Sequence, residues 1–345
     1  MSRVGCLIAA GFLGLGSAQT CRAQDQYHFL REIRVGGEGG WDYLSIDADA
    51  RRLYVAHATK VVVFDLDKET IIGEITNTIG VHGFAFAPEL ERGFASGGHE
   101  NAVSVVDLPT LQIIYKINTG QNPDCVVFEP ETRQVYAFNG RSQSVTVFDA
   151  SSGKVTATVP LPGKPEFAVV DTKAGRIYDN IEDQNEVVAI DIKTHRVANA
   201  WPIDPGQSAS GMAFDPAHHR LFIGCHNSLM LMLNTKNGRV VASVPIGSGV
   251  DASAFDEKTG LAFASCGDGS LTVARENGNL LTVVQKLKTQ PGARTMALDP
   301  KTHNIYLATA EFDAPQNAPP SERHERPKVI PGTFKILVYG LGEKQ

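Results

Sequence analysis

The chain has 345 residues, 42% hydrophobic and 20% charged, with a formal net charge of −6. That is ample core material and argues against global disorder. An acidic balance with no Lys/Arg stripe argues against nucleic acid and anionic lipid as partners.

In chain order, residues 1–23 carry Arg3, an apolar run from Val4 to Leu15, and small residues at Gly16, Ser17, Ala18 and again at Ala23. This reads as a secretory signal peptide cleaved after Ala18 or Ala23. The run is shorter than the ~18 residues that span a bilayer. No later stretch could span one, so the mature chain, 24–345, is expected to be periplasmic or secreted, without an integral membrane segment. Loss of Arg3 and Arg22, with no acid before Asp25, takes the charge from −6 to −8. Cys125, Cys225 and Cys266 then remain, and an odd number is no disulfide framework. Cys225 and Cys266 end second strands of neighbouring repeats, near enough to pair, but such cysteines read first as small buried hydrophobes.

His28 to Val35 alternates like a strand and precedes any complete repeat, so it needs a partner elsewhere. The repeat is clearest from Asn122 to Gly163. Apolar segments Asp124–Phe128, Val135–Phe138, Val145–Phe148 and Val155–Val159 are joined by turns such as Glu129-Pro130-Glu131-Thr132-Arg133. Runs of about 4 to 6 β-branched and aromatic residues between Gly, Pro, Asp and Asn are strands, too short for helices. The residue ending the first strand recurs as Asp47, Ala87, Glu129, Asp171, Asp215, Asp256 and Asp299, at gaps of 40, 42, 42, 44, 41 and 43. Four strands per period of about 40 to 45 residues define a β-propeller, and seven markers mean seven blades in one domain.

Repeat one runs from Trp41 to Ile75, repeat two from His82 to Ile117, repeat four from Glu166 to Trp201, repeat five from Ser210 to Val244 and repeat six from Asp251 to Leu287. In repeat six, Arg275 replaces the usual Asp after the third strand. Repeat seven starts at Arg294 and has a third strand, Phe334 to Tyr339, but no fourth. The N-terminal segment is expected to supply it and so remove the exposed edge. The Pro-rich, charged stretch 313–332 inside that repeat is an irregular insertion. Pro88, Pro130, Pro216 and Pro300 suit the turn after the first strand. Arg52, Arg92, Arg133, Arg176 and Arg220, just before the second, read as solvated turn residues.

Arg52-Leu53-Tyr54-Val55-Ala56 with Val62-Val63-Phe64-Asp65, and Val135-Tyr136-Ala137-Phe138-Asn139 with Val145-Thr146-Val147-Phe148-Asp149, resemble the YVTN β-propeller repeats of the YncE-like family. The resemblance spans residues 41 to 340, although only Tyr136 to Asn139 keeps the full Tyr-x-x-Asn. It implies an exported seven-bladed propeller, usually without an established activity. Related propeller groups include quinoprotein and haem d1 enzymes, whose motifs are missing from this sequence, as is a Cys-x-x-Cys-His for covalent haem. There is no nucleotide-binding loop, nucleophile elbow, zinc-protease helix or EF-hand loop.

Equivalent positions in seven blades share one height around the axis. Each first strand begins with a polar residue: Asp42, His82, Asp124, Glu166, Ser210, Asp251 and Arg294. These form an expected ligand-binding ring at the mouth of the axial channel. Its carboxylates would share a cation or raise one another's pKa. Loops between second and third strands add His57 and His99 at the same end, so Asp42, His57, His82 and His99 are the expected ligands if a divalent metal binds. The leading expectation is a monomeric, non-catalytic propeller that binds a small ligand, an ion or a partner protein at this face. The alternative is a metal-dependent hydrolase, lactonase or lyase at the channel mouth. A third is a redox partner subunit of an exported dehydrogenase system.

Overall fold

The computed structural model describes residues 26–313 and 328–341. The expected signal peptide, 1–23, and most of the expected insertion, 313–332, lie outside the described residues. Twenty-eight strands, β1 to β28 in chain order, form seven four-stranded antiparallel sheets. The innermost strands are β2 (Trp41–Asp47), β6 (Val81–Ala87), β10 (Pro123–Glu129), β14 (Pro165–Asp171), β18 (Ala209–Asp215), β22 (Val250–Asp256) and β26 (Thr295–Leu298). Each contacts the next, and β26 contacts β2, so the sheets close into a ring. Among the described residues no helix is long and apolar enough to cross a membrane.

The expected closure holds. Strand β1 (Tyr27–Arg34) pairs antiparallel with β28 (Lys335–Leu341), with Tyr27 opposite Leu341 and Arg34 opposite Lys335, completing blade 7. The sheet runs β1-β28-β27-β26, so the N-terminal strand is its outer edge and covers the C-terminal strand.

Each blade is too thin to have a core of its own, and seven hydrophobic clusters fill the seven junctions between neighbouring blades. The central strands are buried on both faces, which is why they read as nearly continuous apolar runs. At the junction of blades 1 and 2, Tyr54 stacks on Phe84 with ring centroids 4.5 Å apart. Between blades 5 and 6, Phe222 stacks on Phe255 at 4.7 Å. Fully burying one such ring contributes about 1.5–3 kcal/mol, and that is what holds blade to blade.

The acids that mark the period are buried. Asp47 is 5% exposed, and its Oδ1 accepts from the backbone N–H groups of Asp49 (3.1 Å) and Ala50 (2.9 Å). Glu129 does the same for Glu131 and Thr132. Such side-chain turns satisfy donors that no ladder reaches. Arg92 and Arg176, read from sequence as solvated turn residues, instead open second strands and pair across to Asp107 (3.3 Å) and Asp191 (2.5 Å) at the ends of the third. Cys125, Cys225 and Cys266 are buried and free, so the two that neighbouring repeats could have paired remain thiols.

Candidate functional site

The ring positions sit where the inner strands lose regular pairing. In β2, Trp41 faces His57 and Leu44 faces Val55, leaving Asp42 and Tyr43 opposite the single residue Ala56. The same shift occurs at 82–83, 124–125, 166–167 and 210–211. A bulge of this kind bends the strand and re-aims its side chains. Asp42, and its counterparts around the ring, are thereby turned toward the axis at the channel mouth.

Three segments of interaction result. His82 donates from Nδ1 to Asp42 Oδ2 at 2.6 Å, and the same nitrogen lies 3.9 Å from Asp124 Oδ1. Ligand atoms of Asp42, His82 and Asp124, from blades 1, 2 and 3, all lie within 4.8 Å of one another. In blade 4, Lys164 bridges Glu166 (3.1 Å) and Glu182 (2.5 Å). On the remaining arc, Asp251 accepts from Ser210 Oγ at 3.1 Å and Arg294 Nε at 2.7 Å.

The charges do not balance. Five carboxylates, from Asp42, Asp124, Glu166, Glu182 and Asp251, face three cationic side chains, His82, Lys164 and Arg294. Burial pushes the Asp124 carboxyl up to about 7, with the Asp42 charge adding to it and His82 opposing it. Glu166 is pushed up to about 8 by burial and by Asp124, against the pull of Lys164. Burial also raises Asp42, outweighing its hydrogen bond with His82. Burial disfavours the His82 imidazolium, but Asp42 and Asp124 prevail and raise it to about 9.

Below the rim the channel is floored. Tyr43, from blade 1, reaches across the axis; its hydroxyl donates to the Glu166 carbonyl at 3.4 Å, and its ring meets Phe167 edge-on at 5.1 Å. Gly83 leaves room for it, since a Cβ there would stand 3.4 Å from Tyr43 Cδ2. Tyr43, Phe167, Cys125 and Phe84 line a cavity of about 190 Å³. No rim side chain lines that cavity; the acidic rim and the Tyr43–Phe167 pair beside it make up the axial cup. Beside it Asp179 is fully buried, without a hydrogen-bond partner for either oxygen, and burial raises its carboxyl well above the ordinary range.

Second-strand side chains pin the rim's backbone from the preceding blade. Ser96 Oγ donates to the Asp124 carbonyl at 2.5 Å, Asn180 Nδ2 to that of Ser210 at 2.7 Å, and Ser265 Oγ to that of Arg294. Sequence reasoning missed these positions, together with Tyr43, Lys164 and Asp179. The available signal was a polar residue breaking an apolar second strand, as in Phe94-Ala95-Ser96 and Ala264-Ser265.

Two of the four expected metal ligands are not in the cluster. His57 is buried, stacked on Phe334 with centroids 4.2 Å apart, and burial lowers its imidazole to about 4. His99 is exposed, against Gly80. Both belong to the turn one strand further out, roughly 4.8 Å from the axial strand, where the packing partners are neighbouring loops. Asp124 stands in their place. The root of the blade 7 insertion lies near the rim: Phe312 bridges to Val329, and Trp41, next to Asp42, packs against Phe312 and Phe334.

Fold and site together define a seven-bladed β-propeller with a mixed-charge axial cup. No protein-family model and no curated protein sequence matches the chain. Among solved structures it is similar to hydrazine synthase of Kuenenia stuttgartiensis, with TM-score 0.71 and 15% identity over 78% of this chain and 92% of that one. It is also similar to a chain of the mitotic checkpoint complex, with TM-score 0.75 and 13% identity over 99% of both. Identities this low show the fold alone.

Proposed function

We propose that this protein is an exported, non-catalytic propeller of the YVTN-repeat type whose axial cup binds a small cationic ligand. The single observation that carries the reading is the excess of carboxylates, Asp42, Asp124, Glu166, Glu182 and Asp251 over His82, Lys164 and Arg294, around one cup. A cation placed there offsets the burial and the mutual repulsion that together raise Asp124 and Glu166. Tyr43 and Phe167 beneath offer aromatic faces to an alkylammonium group. Asp42, His82 and Asp124 offer two oxygens and a nitrogen to a divalent ion.

The test is calorimetric titration of the purified full chain with divalent metal salts and with mono- and diamines, each repeated on Asp124→Asn and Glu166→Gln. A ligand of either kind that binds the parent and weakens at least tenfold in both variants supports the reading. No binding by any member, or binding unchanged in both, overturns it. Turnover of an ester or lactone panel that requires metal and disappears in Asp124→Asn would instead make the cup a hydrolase site.

A further inference from the structure

A second cluster lies at the opposite end of the barrel, where the first strands end, at the junction of blades 5 and 6. At that end a buried acid closes each first strand except Ala87 in blade 2, and at two junctions a basic side chain from the following blade meets it. Arg51 of blade 1 reaches Asp299 of blade 7 at 2.9 Å, and His303 of blade 7 reaches Asp256 of blade 6 at 2.6 Å. Arg51 and His303 occupy the same position, one residue before the one paired with the acid's place in the ladder, and both have left-handed backbone. In blade 6 that position is Gly260, φ +65°, which has no side chain to offer Asp215.

What meets Asp215 instead is another acid. Strand β24 (Ser270–Asn277) is eight residues long, where the third strands of blades 1 to 5 have six. Glu276, which follows Arg275, stands where blades 1 to 5 have Leu66, Leu108, Ala150, Ile192 and Thr235, and like them it donates its backbone N–H across the blade, here to the Gly260 carbonyl at 3.0 Å; only in blade 6 does this position carry an acid. The Glu276 side chain is 4% exposed, and neither oxygen has a hydrogen-bond partner. His218 Nδ1 donates to Asp215 Oδ2 at 2.6 Å and lies 3.9 Å from Glu276 Oε1. Arg220 stands 3.9 Å from the same oxygen without a hydrogen bond to it, its Nη2 donating to Asn279.

We propose that Asp215, His218 and Glu276 bind a divalent transition-metal cation of the Zn²⁺ class, which ties blade 5 to blade 6. Their ligand atoms already lie within 4.8 Å of one another. Two carboxylates and an imidazole are a donor set suited to zinc at about 2.0–2.2 Å. His218, with a side chain 67% exposed, opens the site to solvent. The cation supplies at this junction the partner for the buried acid that Arg51 and His303 supply at two others. This inference is independent of the axial cup.

The test strips the full chain with chelator, titrates it with ZnCl₂ by calorimetry and counts bound metal by mass spectrometry. The variants are Glu276→Gln, His218→Ala and, as the cup control, Asp124→Asn. The expected result is one zinc per chain that Asp124→Asn retains and that weakens at least tenfold in Glu276→Gln and His218→Ala. Because His218 is largely exposed, its variant keeps the fold, and a zinc-dependent rise in melting temperature present in the parent and missing from His218→Ala supports the site independently. Zinc unaffected by either variant, zinc lost only in Asp124→Asn, or no zinc at all overturns the proposal; in the last case Asp215 and Glu276 share only a proton.

Discussion

Replacing Ser96 by Ala tests whether the rim depends on hydrogen bonds from the blade behind it. Ser96 is fully buried; its Oγ accepts from Gly83 N–H at 2.8 Å and donates to the Asp124 carbonyl at 2.5 Å. Alanine fits the space but leaves both backbone groups without this partner at a bulge, where the ladder offers no substitute. A buried polar group so orphaned costs about 1–3 kcal/mol, so the two together cost roughly 2–6 kcal/mol, a large part of the 5–15 kcal/mol that typically separates folded from unfolded states. Urea unfolding followed by far-ultraviolet circular dichroism reads this directly, with Ser265→Ala, equivalent in blade 6, expected to lose about 1–3 kcal/mol. Exposed Ser248→Ala should stay within about 0.5 kcal/mol. A loss below about 0.5 kcal/mol for Ser96→Ala would mean that the rim backbone is satisfied by other groups and that the pinning argument is wrong.

The pH dependence has a definite sign. His82 is raised to about 9, so the stability of its ionised form is complete below about 6.5 and is lost as pH rises through 9. Asp124 and Glu166, raised to about 7 and about 8, hold protons in the folded chain that the unfolded chain has released, so they too favour folding at low pH and cease to as pH climbs through those values. Without ligand, melting temperature should fall from pH 5 to 9, and Asp124→Asn should flatten the slope below pH 7; an alkaline optimum refutes the assignment. Gly211→Ala should destabilise by more than about 3 kcal/mol, since its Cβ would stand 2.5 Å from the backbone of Ala252 and Ser253. Gly175→Ala, at φ +65° with open space around it, should cost only about 1–2 kcal/mol by the same denaturation assay. Burial pushes Cys225 and Cys266 up to about 12 and raises Cys125 well above the usual thiol range, so none should react with a thiol reagent at pH 8 until the chain is unfolded; rapid labelling of the native protein contradicts this.

The ring of blades was legible because turns announce themselves. Pro88, Pro130, Pro216 and Pro300, and the acids that end six of the seven first strands, recur at nearly regular spacing, and a closed array needs nothing else to place seven inner strands around one axis. The rim was legible for the same reason, since equivalence by repeat predicts height. The floor was not. Alternation points Tyr43 away from Asp42, but the bulge at 42–43 breaks alternation, and no local residue pattern at Asp42-Tyr43-Leu44 signals it. The histidines failed for a different reason: being at the correct end of a blade fixes height, not distance from the axis. His57 and His99 lie one strand further out, where Phe334 and Gly80 are the neighbours.

Pairing of Tyr27 with Leu341 makes the described chain a circle with one nick, its free ends lying side by side in the seventh sheet. No blade is therefore a privileged starting point. Joining the ends with a short linker and recutting in the open turn at Gly278 should yield the same architecture, because a side chain there would meet nothing within 4 Å. The nick also sets an order of events. The seventh sheet is finished only when residues more than three hundred positions apart meet, so its zipping is the late, slow step, and until then two strand edges stand open to any other extended chain.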